Sequence, residues 1–297
     1  KNRIKNTKGK GKKKNKTRSH TPHRTRTIMY RLKDKVVVLT GASSGIGASI
    51  AEHLFKEGAK VCMGARRLDK LSEVQAAAKS KYGGGSGSDD DEPNPGVLIF
   101  QKCDVTDRHS VVELVAEATS QLGEVDVMIN CAGVMYFTEM KNALVDQWET
   151  TVDVNCKGVM NGIGAVVKQM VTRGTGKIIT ISSDAGMRDF QNLAVYCASK
   201  KFVETLTEIT RRELVGTGVT LTTICPGDVK GTELVMNNTD KEAADKVGVE
   251  IGKPCGTGFD RNQLLDPSDI ADAVIYALTA PPHVAVNTLL IEPRDQE

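Results

Sequence analysis

Apolar positions between Lys35 and Ile291 come in two recurrent patterns. Short, near-continuous runs rich in valine and isoleucine alternate with longer stretches whose apolar residues recur every three or four positions. The first pattern predicts buried strands at 36–39, 60–64, 97–102, 125–130, 177–181, 220–225 and 288–291. The second predicts helices at 46–56, 68–81, 110–122, 144–170, 193–214 and 268–278, the longest of them open to a break. Strands with no polar face must be covered on both sides, and regular strand–helix alternation supplies that cover. The expected fold class is therefore α/β: a doubly wound parallel sheet of about seven strands flanked by helices, in one domain over 29–297. Such a sheet opens its ligand crevice at the carboxyl ends of its strands.

Two stretches escape the pattern. Residues 1–28 hold 12 of the chain's 40 Lys and Arg and no acid, which leaves 28 basic residues against 37 acidic ones, a formal −9, for 29–297. The net +3 of the 297-residue chain thus hides a basic tail on an acidic body. With only Ile4 and Ile28 as large apolar side chains, the tail cannot offset its ordering entropy and reads as disordered. Met29 is a candidate natural start. A nucleic-acid arm or a targeting presequence are the other readings of the tail, and the acidic body disfavours a nucleic-acid partner. The Gly-, Ser- and Asp-rich stretch 83–96 reads as an inserted flexible loop.

No apolar run approaches the roughly 18 residues of a membrane helix, so no membrane partner is expected. Cys62, Cys103, Cys131, Cys156, Cys197, Cys225 and Cys255 form no Cys-x-x-Cys pair, which points to reduced thiols and a cytoplasmic setting. The five histidines have no zinc-ligand spacing, and no metal is expected.

Chemistry first appears at Thr40-Gly-Ala-Ser-Ser-Gly-Ile-Gly47, between the first strand and the first helix. Gly41 permits a tight turn, Gly45 lets backbone approach a diphosphate, and Gly47 lets the helix pack on the sheet. The helix amino end then faces the anion. This context marks a Rossmann fold. Where an NAD site places an acid at the end of the second strand, this chain reads Gly64-Ala65-Arg66-Arg67. No carboxylate repels a 2′-phosphate there and a guanidinium can clamp it, so NADP(H) is the expected cofactor, with Arg66 the main contact and Arg67 beside it.

Together these residues resemble the short-chain dehydrogenase/reductase family. The Gly-x-x-x-Gly-x-Gly spacing is that family's, and the likeness runs in order over 33–293. It implies that Ser43, Ser44 and Ile46 join the glycines of the turn, that Asp104-Val105 contacts the adenine, and that Asn130, Ala132 and Gly133 form the turn written here Asn130-Cys-Ala-Gly133. Pro226, Gly227, Val229 and Thr232 would follow the sixth strand beside the nicotinamide. Asn155, Ser183, Tyr196 and Lys200 match the family's catalytic positions, Ser183 lying 13 residues before Tyr196 and Lys200 four after it. The resemblance also implies a homodimer or homotetramer pairing helices 144–170 and 193–214, and within the family the chain resembles NADP-dependent 3-hydroxy-acid (serine-type) dehydrogenases and insect-type alcohol and farnesol dehydrogenases.

The implied chemistry is hydride transfer between the nicotinamide and an alcohol or carbonyl. Tyr196 and Lys200 share a helix face. A free tyrosine titrates near 10, and an ammonium about 4–5 Å away is worth roughly 3–4 kcal/mol at an effective dielectric of 20, so Lys200 is expected to lower Tyr196 into the range of a useful base. Ser183 would hold the substrate oxygen, Lys200 the nicotinamide ribose, and Asn155 a water leading from Lys200 to solvent. Two substrate readings stay open. A 3-hydroxy acid such as serine needs a cation, for which Arg188 is the candidate; a hydrophobic alcohol or carbonyl would use Met135, Tyr136, Phe137, Met187 and Phe190. A catalytically idle NADP-binding scaffold is the reading from another class.

Overall fold

The computed structural model describes residues 31–83, 95–256 and 264–296. The basic tail 1–28, the start at Met29 and nearly all of the loop 83–96 lie outside the described residues.

Seven parallel strands form one sheet among the described residues: β1 (Val36–Thr40), β2 (Lys60–Ala65), β3 (Val97–Lys102), β4 (Val127–Asn130), β5 (Gly176–Ile181), β6 (Val219–Pro226) and β7 (Thr288–Ile291). Their spatial order is β3-β2-β1-β4-β5-β6-β7, so the winding reverses between β1 and β4. The helices are α1 (Gly45–Lys56), α2 (Leu68–Tyr82), α3 (Arg108–Leu122), α4 (Val145–Val152), α5 (Gly158–Arg173), α6 (Ala194–Glu213), α7 (Lys241–Val247) and α8 (Pro267–Thr279).

The pleat sends alternate strand residues into two separate cores. Val37 and Leu39 of β1, with Ile129 of β4 and Ile179 of β5, pack against α1, α2 and α8 through Ile50, Leu54, Leu71 and Val274. Val36 and Val38, with Met128 and Ile178, face α3, α5 and α6 through Leu114, Ile163, Val166 and Val203. Both sides being apolar is why the strands read as unbroken hydrophobic runs rather than as alternation. A third, smaller cluster joins Phe137, Leu193, Tyr196, Val235 and Ala243 beyond the strand ends.

Two departures from the expected elements bear on function. The helix expected at 144–170 is split by a π-helical turn, Asp153–Lys157, that carries Asn155. The segment after β6, where no helix is expected before 268, holds α7, capped by the Asp240 carboxylate accepting from Ala243 N at 3.1 Å. Seven residues make too short a period to stand out in the pattern.

Candidate active site

At the reversal between β1 and β4 the strand ends part over a cleft of about 810 Å³. Its floor is the turn between β1 and α1. Gly41 sits at φ +70°, and a Cβ there would stand 2.6 Å from the backbone of Ala132. Gly47 is closer still: a Cβ would lie 2.1 Å from Gly41 O. Only glycines let the two strand ends and the helix converge this tightly. Thr40 Oγ1 fastens the convergence, accepting from Cys131 N at 3.2 Å and donating to Ile129 O at 3.3 Å. At the head of α1 the N-cap residue Ser44 makes no capping bond, which leaves the first amides to an anion.

Arg67 reaches across this floor. Its Nη2 donates to Ser43 Oγ at 3.0 Å, to Ser44 Oγ at 3.1 Å and to Glu233 Oε2 at 2.7 Å. Ser44 Oγ donates to the same Glu233 oxygen at 2.9 Å. The Arg67 hydrogen bond, with Ser44 adding to it, holds the Glu233 carboxyl below the usual carboxylate range against its partial burial. Arg66 also lines the cleft and makes no hydrogen bond or ion pair among the described residues. Arg66, expected to be the main clamp, is thus the uncommitted guanidinium, and Arg67 the committed one. Asp104 and Val105 line the far wall, with Asp104 Oδ1 accepting from Thr106 N at 3.0 Å. Gly45, Ile46, Ala132, Gly133, Pro226, Gly227, Val229 and Thr232 line it too.

Asn130 does not. It is buried behind the cleft, against Gly162, with neither side-chain amide atom partnered among the described residues.

The other end of the cleft holds Ser183 at the exit of β5, and Tyr196 and Lys200 one turn apart on α6. Lys200 Nζ lies 5.6 Å from the Tyr196 ring centre and donates to Ile181 O at 3.1 Å. Burial pushes Lys200 down from 10.5 to about 8. Burial also pushes the Tyr196 phenol up from its ordinary 10, opposed by a hydrogen bond with Ser183. This corrects the expectation that Lys200 lowers Tyr196: both are enclosed, and desolvation is the largest influence on each.

Asn155 also sits behind the cleft wall. Its Nδ2 donates to Val134 O and Ser199 Oγ, both at 3.0 Å, and its Oδ1 accepts from Val134 N at 2.9 Å. These bonds fix the turn after Gly133. A Cβ on Gly133 would lie 3.5 Å from Asn155 Oδ1 and 3.8 Å from Lys200 Nζ, so the glycine keeps a gap open between the two.

Around the reacting end stand Met135, Tyr136, Phe137, Phe190, Leu193 and Val247. Met187, also expected there, is exposed and outside the lining. Arg188 is outside it as well, its guanidinium paired to Glu292 at 2.9 Å. The cations lining the cleft among the described residues are Arg66 and Arg67 at the cradle end and, at the reacting end, Lys200, which is buried and bonded to Ile181 O. The sequence motifs gave no individual role to Glu233, Asp184 or Gln296, which line the cleft with polar side chains. Only Asp184 carried a signal, its adjacency to Ser183. Among the described residues no three His, Cys, Asp or Glu side chains stand where they could hold a metal ion, and no helix is long and apolar enough to cross a membrane.

A family profile described as short chain dehydrogenase matches residues 35–243. A glycine betaine reductase of Emericella nidulans is 47% identical over 266 residues, which are 89% of this chain but 19% of that protein. An uncharacterized oxidoreductase of Staphylococcus saprophyticus is 36% identical over 89% of this chain and 100% of its own length. Among solved structures, the closed form of a serine dehydrogenase complexed with NADP+ superposes with a TM-score of 0.72 at 31% identity, covering 88% of this chain and 96% of that one.

Proposed function

The chain belongs to the short-chain dehydrogenase family, and we propose that it is an NADP(H)-dependent oxidoreductase acting on a carbonyl, or the corresponding alcohol, with an apolar body and no carboxylate. One observation carries the reading: the enclosed Ser183, Tyr196 and Lys200 meet at one end of a cleft whose other end is a glycine cradle flanked by Arg66 and Arg67. The cradle fits a dinucleotide, because the close approaches at Gly41 and Gly47 leave backbone, not side chain, at the head of α1. The serine dehydrogenase that superposes on the fold carries NADP+, which supports the same cofactor here.

The bound nicotinamide supplies or accepts hydride. Gly41, Ser43, Ser44, Gly45 and Gly47 would hold its diphosphate, Arg66 and Arg67 the 2′-phosphate, and Lys200 its ribose. Tyr196, its phenol held neutral by burial, is a proton donor to a carbonyl oxygen at neutral pH. In reduction the neutral phenol gives its proton to the carbonyl oxygen, and in oxidation it must be deprotonated, with the Lys200 ammonium as its counter-charge. Ser183 turns its hydroxyl from Asp184 to the substrate oxygen and preorganises it against Tyr196. Asn155 fixes the Val134 turn, and the gap at Gly133 gives a water room between it and Lys200.

A hydroxy-acid substrate loses its candidate cation, since Arg188 is spent on Glu292. The Emericella relative's name brings in a second substrate, a small quaternary ammonium compound. Tyr136, Phe137, Phe190 and the Asp184 carboxylate are groups a trimethylammonium favours. Residues 29–297 would act as one catalytic domain. Val145, Val152, Met160, Phe202 and Ile209, apolar yet exposed on α4–α6, support a homo-oligomer through those helices. The seven free thiols support a reducing, cytoplasmic setting.

The test is NADPH and NADH consumption by the purified protein with medium-chain ketones and aldehydes, a trimethylammonium aldehyde, and, for oxidation, L-serine and 3-hydroxybutyrate. NADPH-dependent reduction of the uncharged or cationic carbonyls is expected. Turnover confined to the hydroxy acids, or none at all, would overturn the reading.

A further inference from the structure

The Ser183 hydroxyl donates to Asp184 Oδ1 at 2.8 Å, and Ala185 N donates to the same oxygen at 2.8 Å. Asp184 is a buried carboxylate, so its second oxygen needs a donor of its own. That donor comes from beyond β7: Gln296 Nε2 donates to Asp184 Oδ2 at 2.7 Å. The other end of the same amide, Gln296 Oε1, accepts from Asp228 N at 3.1 Å. One side chain thereby ties the serine's neighbour to the turn that follows β6.

The fit is close. A Cβ on Gly227 would stand 2.3 Å from Gln296 Oε1, so any larger residue at 227 would displace the amide. A second tie lies alongside, where Arg188 Nη2 donates to Glu292 Oε2 at 3.1 Å. The segment 292–296 is therefore clamped twice to the loop that starts at Ser183, and Gln296 itself lines the cleft.

We propose that Gln296 is a positioning residue for Ser183, acting through Asp184, and that the segment after β7 forms the wall closing the substrate end of the cleft. The inference rests on the reading of Ser183 as the holder of the substrate oxygen. A carboxylate anchored through both oxygens keeps one rotamer, and the hydroxyl it receives keeps one direction until a substrate oxygen replaces it. With Gln296 Nε2 gone, Asp184 is free to turn and take Ser183 out of line with Tyr196. Loss of the Gln296 Oε1–Asp228 bond loosens the neighbouring turn at the same time.

Gln296→Met keeps the volume of the side chain and removes both amide bonds. The experiment compares it with the wild-type protein in three readouts: kcat and KM for carbonyl reduction, the Kd for NADPH, and hydrogen exchange at the amides of Ala185 and Asp228. The expected result is a kcat lower by about tenfold, an NADPH Kd within about twofold, and exchange at both amides faster by about tenfold. Gln296→Asn, one methylene shorter with the amide retained, is expected to recover part of kcat. Unchanged exchange overturns the tether, whatever the activity. Faster exchange with kcat unchanged overturns the positioning role. A wild-type protein that turns over no carbonyl overturns the proposed function, and the positioning role with it, while the exchange data still decide the tether.

Discussion

Arg67 and Glu233, 166 positions apart, meet at 2.7 Å above the hydroxyls of Ser43 and Ser44. A carboxylate thus rests on the donors that a cofactor phosphate would use, and binding must draw Arg67 or Glu233 aside. Both side chains are partly solvated, at 45% and 36% exposure, which limits the pair to about 0.5–1 kcal/mol. Glu233→Gln is expected to tighten NADPH binding two- to fivefold, with the gain shrinking as salt is raised. Titration calorimetry at low and high ionic strength measures it, and weaker binding in the variant would show that Glu233 assists the cofactor instead.

Arg66, with no partner among the described residues, is free to take a 2′-phosphate where Arg67 must first leave Glu233. Arg66→Asp is expected to weaken NADPH by roughly 10- to 100-fold, the worth of a charge-assisted hydrogen bond, and to leave NADH unharmed or improved. Competition binding with both cofactors reads the ratio, and an unmoved ratio would place the specificity elsewhere.

Lys200 carries a stability cost. Its pKa in the folded protein is about 8 against an ordinary 10.5, so between those values the unfolded chain binds more protons. Stability therefore rises with pH from about 8 to 10.5, and the full cost, about 3 kcal/mol, is present below that window. Lys200→Met removes the buried charge and is expected to be about 1–3 kcal/mol more stable at pH 7 by urea unfolding, with the slope between pH 8 and 10.5 reduced and activity lost. A variant destabilised by several kcal/mol would mean that the charge is better compensated than its surroundings indicate.

Because Arg188 pairs with Glu292 outside the cleft lining, Arg188→Ala is expected to change kcat/KM for carbonyl reduction less than threefold. Steady-state kinetics on the preferred carbonyl decides this. A tenfold or larger loss confined to KM would return Arg188 to the substrate site.

The sheet was legible because its central strands are buried on both faces, so Val36 to Leu39 could be read without a polar alternation to interpret. The cradle was legible because Gly41 and Gly47 meet steric limits that no other residue satisfies. What escaped the sequence depends on distance along the chain. Glu233 reaches Arg67 and Gln296 reaches Asp184 only after the sheet has closed, and neither pair has a spacing to betray it. The sign of the Tyr196 shift escaped for a different reason: the Coulomb attraction to Lys200 can be estimated from one helical turn, but desolvation needs the enclosing walls. Lengths were read less well than types. The π turn at Asp153–Lys157 disturbs a 3.6-residue period too little to be seen.

Tyr196→Phe removes one oxygen and leaves the ring in its packing with Phe137 and Leu193. NADPH-dependent reduction of the preferred carbonyl by this variant, measured beside its Kd for NADPH, is decisive. The expected result is a fall in kcat of roughly 10²–10⁴, the usual worth of a positioned proton donor, with a Kd within about threefold of the wild-type protein. A variant that still reduces the carbonyl at near wild-type rate would contradict the assignment of Tyr196 as the acid, and with it the catalytic reading of the cleft.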